Sequence, residues 1–143
     1  MIWLANDHAG VELKNIVIEE LKRQDIPYED LGTNGHEPTD YPPLAHQVAL
    51  KVSEEPNDRG IVICKSGQGM AMAANRHKNV RASVAWNKEV ARETREDNDS
   101  NVLSLPSGYI DEQEAINILR EWLQTPFSQA ERHHRRVKQI NHL

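Results

Sequence analysis

The chain has 143 residues, 38 % hydrophobic and 27 % charged, with a formal net charge of -5 at pH 7. That is one domain's worth of globular protein with a polar surface, and its acidic balance argues against nucleic acid as a partner. A single cysteine excludes an internal disulfide, no Cys/His spacing suggests a metal site, and neither a membrane span nor a signal pattern is present, so the expected location is cytoplasmic.

Short apolar runs alternate with helical periodicities along the chain. Residues 1–5 read as a strand, after which Leu13, Ile16, Val17 and Leu21 recur at helical spacing. Residues 28–31 form a second, short strand, ended by Gly32-Thr33-Asn34-Gly35. Pro42-Pro43 opens a helix with Leu44, Val48 and Val52 on one face. A third strand covers 60–64, and Gly67 and Gly69 turn it sharply into a helix over 69–76. A fourth strand at 80–86, a polar helix at 87–97 and a fifth strand at 101–105 follow. Asp111 and Glu114, at capping-box spacing, start a helix carrying Ala115, Leu119, Trp122 and Leu123. Pro126 stops it, and residues 129–142 form a last, heavily charged helix.

Five strands alternating with helices imply parallel βαβ units, hence a three-layer α/β/α sandwich with a five-stranded parallel sheet, one domain over 1–143. Ligands in such sheets bind outside the carboxyl ends of the strands, where residues 6–10, 32–33 and 65–69 should converge. The segment 129–143 is expected to project past the sheet towards a partner subunit.

Cys64 stands at the end of the third strand, just before a helix N-terminus. There a helix dipole favours a thiolate and free N–H groups offer donors to an oxyanion, although the position also suits a small buried residue. Asp7-His8, on the first strand-to-helix turn, combines a capping carboxylate with an imidazole placed to meet an anion, or one that is simply exposed. Tyr41, after Asp40, suits either a polyol contact or an ordinary helix start. Arg132 and Arg136 fall at i,i+4 on one helix face, a pair of forked donors that matches a phosphate monoester or lies on a solvated face.

The motifs Asn-Asp-His-Ala-Gly, Gly-Thr…Asp-Tyr-Pro, Ile-Cys-x-Ser-Gly-x-Gly-Met, Ala-Ala-Asn-Arg, Asn-Asp-Ser-Asn-Val-Leu and Arg-His-x-x-Arg-Val occur in this order. In that register the chain resembles the ribose-5-phosphate isomerase type B family, whose wider group includes the galactose-6-phosphate isomerase subunits. The likeness spans essentially the whole chain. It implies a flavodoxin-like sandwich and a cofactor-independent aldose–ketose isomerase acting on a small sugar phosphate through a cis-enediolate. It also implies a homodimer or a dimer of dimers with shared active sites. Carried over by position, Cys64 is the base, Ser66 bonds substrate oxygens, and the N–H groups around Gly67, Gln68 and Gly69 hold the enediolate. Asp7 and Asn98 contact sugar hydroxyls, with Tyr41 beside them, while His8, Arg132 and Arg136 hold the phosphate.

Three positions depart from the family pattern. Asp97 stands where the family has the histidine that opens the furanose ring; an ionised Asp cannot donate that proton unless burial raises its pKa strongly. Gly108 stands where an arginine often holds phosphate. Lys65 replaces a glycine, so the turn is expected to differ locally and an ammonium to lie beside the thiolate or an anionic substrate group. These departures leave several readings open. One is an isomerase of a sugar that needs no ring opening. A second is an ordinary pentose-phosphate isomerase relying on spontaneous opening, or on His133 or His134 of a neighbouring subunit. A third is a sugar-phosphate-binding module with little turnover. A peroxide-reactive thiol is a further alternative, one with no second cysteine to resolve it.

Overall fold

The computed structural model describes residues 1–142. Strands β1 (Ile2–Asn6), β2 (Tyr28–Asp30), β3 (Arg59–Cys64), β4 (Ala82–Val84) and β5 (Val102–Pro106) form one parallel sheet in the order β2-β1-β3-β5-β4. The helices are α1 (Val11–Arg23), α2 (Tyr41–Glu54), α3 (Gln68–Ala74), α4 (Lys88–Asn98), α5 (Glu112–Gln124) and α6 (Glu131–Asn141), with a 3-10 turn at His8–Gly10.

Alternation along the central strands builds two apolar layers. Ile2, Leu4, Ile61, Ile63, Leu103 and Leu105 face α1, α4 and α5, against Val17, Leu21, Ala91, Ile118 and Trp122. Ala5, Val62, Cys64 and Val102 face α2 and α3, against Val48, Ala49, Met70 and Ala74. A strand buried on both faces reads as a continuous apolar run, which is why Ile61-Val62-Ile63 is uninterrupted. The expected capping box is present, with Asp111 accepting from the Glu114 amide at 2.8 Å and Glu114 reaching back to the Asp111 amide at 3.0 Å. Asn87 caps α4 by accepting from the Val90 amide at 2.8 Å.

The fold class is the one the alternating pattern implies, with one difference of order. A flavodoxin-type sheet runs 2-1-3-4-5; here β5 lies between β3 and β4. The chain passes over the place of β5 to lay down β4 as an edge, then returns. The fourth strand is accordingly shorter than its apolar run, Ala82–Val84 rather than 80–86, because an edge strand pairs on one side only.

The direction of travel reverses at β1, which lies between β2 and β3. Such a switch point opens a crevice at the carboxyl ends of the strands, here between the loops after β1 and β3.

Candidate active site

Cys64 ends β3 with 5 % of its surface exposed, its side chain turned towards the α2–α3 layer. The loop that follows is stitched to the loop after β5: the Ser107 amide donates to the Cys64 carbonyl at 2.9 Å and the Gly108 amide to the Lys65 carbonyl at 2.9 Å. The Ser107 hydroxyl also donates to the Ala9 carbonyl at 2.9 Å, joining the β1 loop to the same cluster.

The turn does not strain Lys65. No positive φ occurs there; the reversal is made at Gly67, with φ 74, a left-handed conformation that glycine adopts without a Cβ penalty. The buried Ser104 hydroxyl donates to the Gly67 carbonyl at 2.6 Å and pins the turn from beneath. Gly69 has a different reason to be glycine. It lies inside α3, and a Cβ there would fall on the ring of Tyr41, the first residue of α2. That packing brings Tyr41, 38 % exposed, to the edge of the loop.

Burial raises the Cys64 pKa above the ordinary thiol value, with the charge of Asp7 adding to the rise, and the nearby amides of Met70, Gly67 and Ser66 pull it down without offsetting that. The expectation that the helix start favours the thiolate is therefore not met in the isolated chain. Helix α3 has only seven residues, too few for a strong dipole, and the sulfur is almost out of water. The Gln68 amide is engaged by the Ser66 hydroxyl at 3.2 Å, and the amides acting on the sulfur are those of Met70, Gly67 and Ser66.

Asp7 is buried, its Oδ1 accepting from the Ala9 amide at 2.9 Å and its own amide donating to the Ile63 carbonyl at 3.1 Å. His8 accepts the Thr39 amide on Nδ1 at 3.1 Å, which assigns the proton to Nε2 and leaves that nitrogen a donor. Asn6 was not singled out from the sequence. It is fully buried, its NH2 donates to the carbonyls of Asp7 at 2.8 Å and Thr33 at 2.9 Å, and its Oδ1 has no partner among the described residues. Ser104 and Ser107 were missed as well. Ser104 left a trace, a lone hydroxyl in the apolar run Val102-Leu-Ser-Leu-Pro106; Ser107 left none.

The other expected residues lie elsewhere. Helix α4 leaves the carboxyl end of β4 and arrives at the amino end of β5, so Asp97 and Asn98 sit at the opposite edge of the sheet from Cys64. Helix α6 packs there too, because the Ser128 amide donates to the Glu96 carbonyl at 3.2 Å and Arg81 donates to Asn141 Oδ1 at 3.0 Å. Arg132 and Arg136 are exposed on α6 and form no ion pair among the described residues. Asp97 has a partner of its own. Nε2 of the buried His133 stands 3.5 Å from Asp97 Oδ1, and His133 Nδ1 lies 2.6 Å from the Ser128 hydroxyl. The burial on which proton donation by Asp97 depended is absent: its side chain is 44 % exposed.

A cleft of about 680 Å3 opens at this far edge, lined by Asn75, Arg76, Arg81, Asn98, Asn141 and His142 among others, and it does not reach Cys64. The residues expected at the site thus fall into two groups, at opposite ends of the sheet. The thiol, Ser66, the glycine turn, Asp7, His8, Tyr41 and Lys65 share the carboxyl end; Asp97, Asn98, Arg132 and Arg136 share the amino end. Among the described residues no cluster of three or more His, Cys, Asp or Glu is placed to hold a metal ion, and no helix is long and apolar enough to cross a membrane.

Comparison with known proteins follows the same lines. A family model described as Ribose/Galactose Isomerase matches residues 2–140. The ribose-5-phosphate isomerase B of Escherichia coli is 37 % identical over 134 residues, 94 % of this chain and 89 % of that protein. The structure of ribose-5-phosphate isomerase B from Mycoplasma genitalium with bound ribulose-5-phosphate is 38 % identical and superposes with a TM-score of 0.94, covering 98 % of this chain and 93 % of that one. The ribose-5-phosphate isomerase B of Clostridium thermocellum is also 38 % identical, with a TM-score of 0.94 and coverage of 98 % and 94 %.

Proposed function

The chain belongs to the ribose/galactose isomerase family, and from that premise we propose that it interconverts an aldose and a ketose phosphate of the ribose 5-phosphate class without a cofactor. The observation that supports this chemistry within the chain is the set of amides around Cys64. A carbon acid gives up its proton only where the resulting oxyanion is held, and N–H groups in a water-poor site hold it best.

In this reading the Cys64 thiolate takes the proton from the carbon beside the carbonyl. The electron pair moves into a cis-enediolate, the thiol returns the proton to the neighbouring carbon, and the hydroxyl proton passes from one oxygen to the other beside the Ser66 hydroxyl, so no atom or electron is left over. The N–H groups of Ser66, Gly67, Gly69 and Met70 bear the enediolate's charge, that of Gln68 being engaged by the Ser66 hydroxyl. The Ser66 hydroxyl and Asp7 bond sugar oxygens, Tyr41 closes one wall, and His8 offers Nε2–H to the anionic group. Arg132, Arg136 and Asn98 reach the same substrate from the far edge of a second copy, in a homodimer or dimer of dimers. There Asp97 serves as an acceptor for a sugar hydroxyl. Cations brought by the second copy favour the thiolate and lower the thiol towards working pH.

A second reading, a sugar-phosphate-binding module with little turnover, is favoured by one observation, the raised thiol. The two separate cleanly. Tetrose, pentose and hexose phosphates incubated in D2O with wild-type protein should gain deuterium at the carbon beside the carbonyl for at least one sugar. Binding without deuterium uptake on any of them would move the assignment to the binding module.

A further inference from the structure

Lys65 follows Cys64 directly and is exposed at the rim of the crevice. Its backbone is fixed on the β5 side, where its carbonyl accepts the Gly108 amide at 2.9 Å. Its side chain lies on the same side. A Cβ at Gly108 would meet Lys65 Cγ at 2.8 Å, the Lys65 carbonyl at 3.2 Å and Cε at 3.5 Å. Gly108 has no left-handed φ, so the chain does not need glycine there for its backbone conformation. The missing side chain leaves room for the lysine stem.

The ammonium forms no ion pair among the described residues, in a protein whose formal charge is -5. Nor is it the counter-ion of the sulfur, since the charged side chain acting on Cys64 is Asp7. An ordinary surface lysine keeps its stem free and loses that freedom when it binds anything. Here the stem lies against the turn after β5, on the residue next in sequence to the one that would do the chemistry.

We propose that Lys65, seated on Gly108, is the cation that the thiol-bearing half-site itself offers to the substrate's anionic group, and that Gly108 determines specificity by keeping that seat open. The inference deepens the isomerase reading and takes its substrate class, a phosphorylated sugar, from it. Lys65 and Gly108 act as a unit: a side chain at 108 pushes the stem off the turn and moves the charge.

The test is calorimetric binding of ribose 5-phosphate to the full-length wild type, Lys65→Ala, Gly108→Ala and the double variant, with D-ribose as neutral control and turnover followed in parallel. Removing one charge-assisted contact weakens ribose 5-phosphate binding about tenfold in Lys65→Ala and leaves D-ribose unaffected. Gly108→Ala weakens it about threefold in the wild-type background and by a clearly smaller factor in the Lys65→Ala background, where the Cγ contact is gone and only the Lys65 carbonyl contact remains. Unchanged affinity in Lys65→Ala, or an equal Gly108→Ala effect in both backgrounds, overturns the proposal. A wild type that binds but never turns over refutes the isomerase reading alone, while one that neither binds nor turns over refutes both. Equal melting midpoints establish that the variants fold.

Discussion

The Asp97 carboxylate and the His133 imidazole stand 3.5 Å apart, one on α4 and the other buried on α6. The imidazole has Ser128 on its other nitrogen, so His133 is a clamp between the chain before α6 and the end of α4. Arg132 precedes it on the same helix. His133→Ala should cost about 1–2 kcal/mol, because the Ser128 hydroxyl and the Asp97 carboxylate lose their common partner. Urea unfolding measures this, and a loss below 0.3 kcal/mol, roughly the scatter of such measurements, would show that the clamp is idle.

The same contact bears on ring opening. An exposed carboxylate paired with an imidazole is an acceptor, so Asp97→Asn should leave kcat on ribose 5-phosphate within about threefold of wild type. A loss in the range of about a hundredfold, typical of a missing general acid, would return Asp97 to that role.

The burial that raises the Cys64 thiol also sets its pH behaviour. In the unfolded chain a thiol titrates near about 8.5. The folded protein holds its proton to higher pH, so this contribution to stability is complete below that value and declines as pH climbs through the window above it. Iodoacetamide should alkylate the free protein slowly at pH 7 and steadily faster to pH 9 and beyond, without a plateau near neutrality. Rapid alkylation at pH 7 would mean that the amides, and not burial, govern the sulfur.

Much of this arrangement is written in local sequence. The apolar run before Cys64, the capping box at Asp111 and Glu114, and the arginines one turn apart on α6 each obey a short-range rule, and the elements they specify are present. What is not local was not legible. The insertion of β5 between β3 and β4 depends on which crossover passes over which, and no residue pattern records that. The pairing of Asp97 with His133, the packing of Tyr41 on Gly69 and the seat of Lys65 on Gly108 join segments far apart in the chain. The state of the sulfur was legible only in its parts, because the sequence displays a helix start but not the depth of burial that outweighs it.

The turn after Cys64 makes a further check possible. Gly67→Ala forces a Cβ into a left-handed residue at a cost of about 1–2 kcal/mol, with the Ser104 hydroxyl 3.2 Å away. Ser104→Ala removes one buried hydrogen bond to the same turn, worth about 1 kcal/mol. Both should lower kcat more than they raise KM if, as proposed, the N–H groups of the turn hold the enediolate. Equal stability losses with unchanged kcat would make the turn purely structural.

Glu20 offers a test of the scaffold away from the chemistry. Hydrogen bonds from Arg23, at 2.5 Å, and Arg120, at 2.9 Å, hold its buried carboxyl down to about 2, with Gln24 assisting. A carboxylate depressed in this way stabilises the fold above its unfolded value of about 4.3, and the effect is lost as pH falls towards 2. Both arginines are largely exposed, so Glu20→Gln should cost only about 1–2 kcal/mol at pH 7. The difference from wild type should vanish near pH 2, as urea melts at the two pH values will show.

The division of the site between opposite edges of the sheet is tested most directly by mixing subunits. In the proposed mechanism Cys64→Ala lacks the base and should lose about a hundred- to ten-thousand-fold in kcat; Arg136→Ala retains the base but lacks a cation at the other edge and should lose most of its activity at substrate well below KM. If a second copy completes each site, refolding the two inactive proteins together yields hybrid dimers with one intact site each, restoring about a quarter of wild-type activity at random assortment. No recovery on mixing, with hybrids present by native mass spectrometry, would contradict a site shared between two copies with Cys64 at its centre.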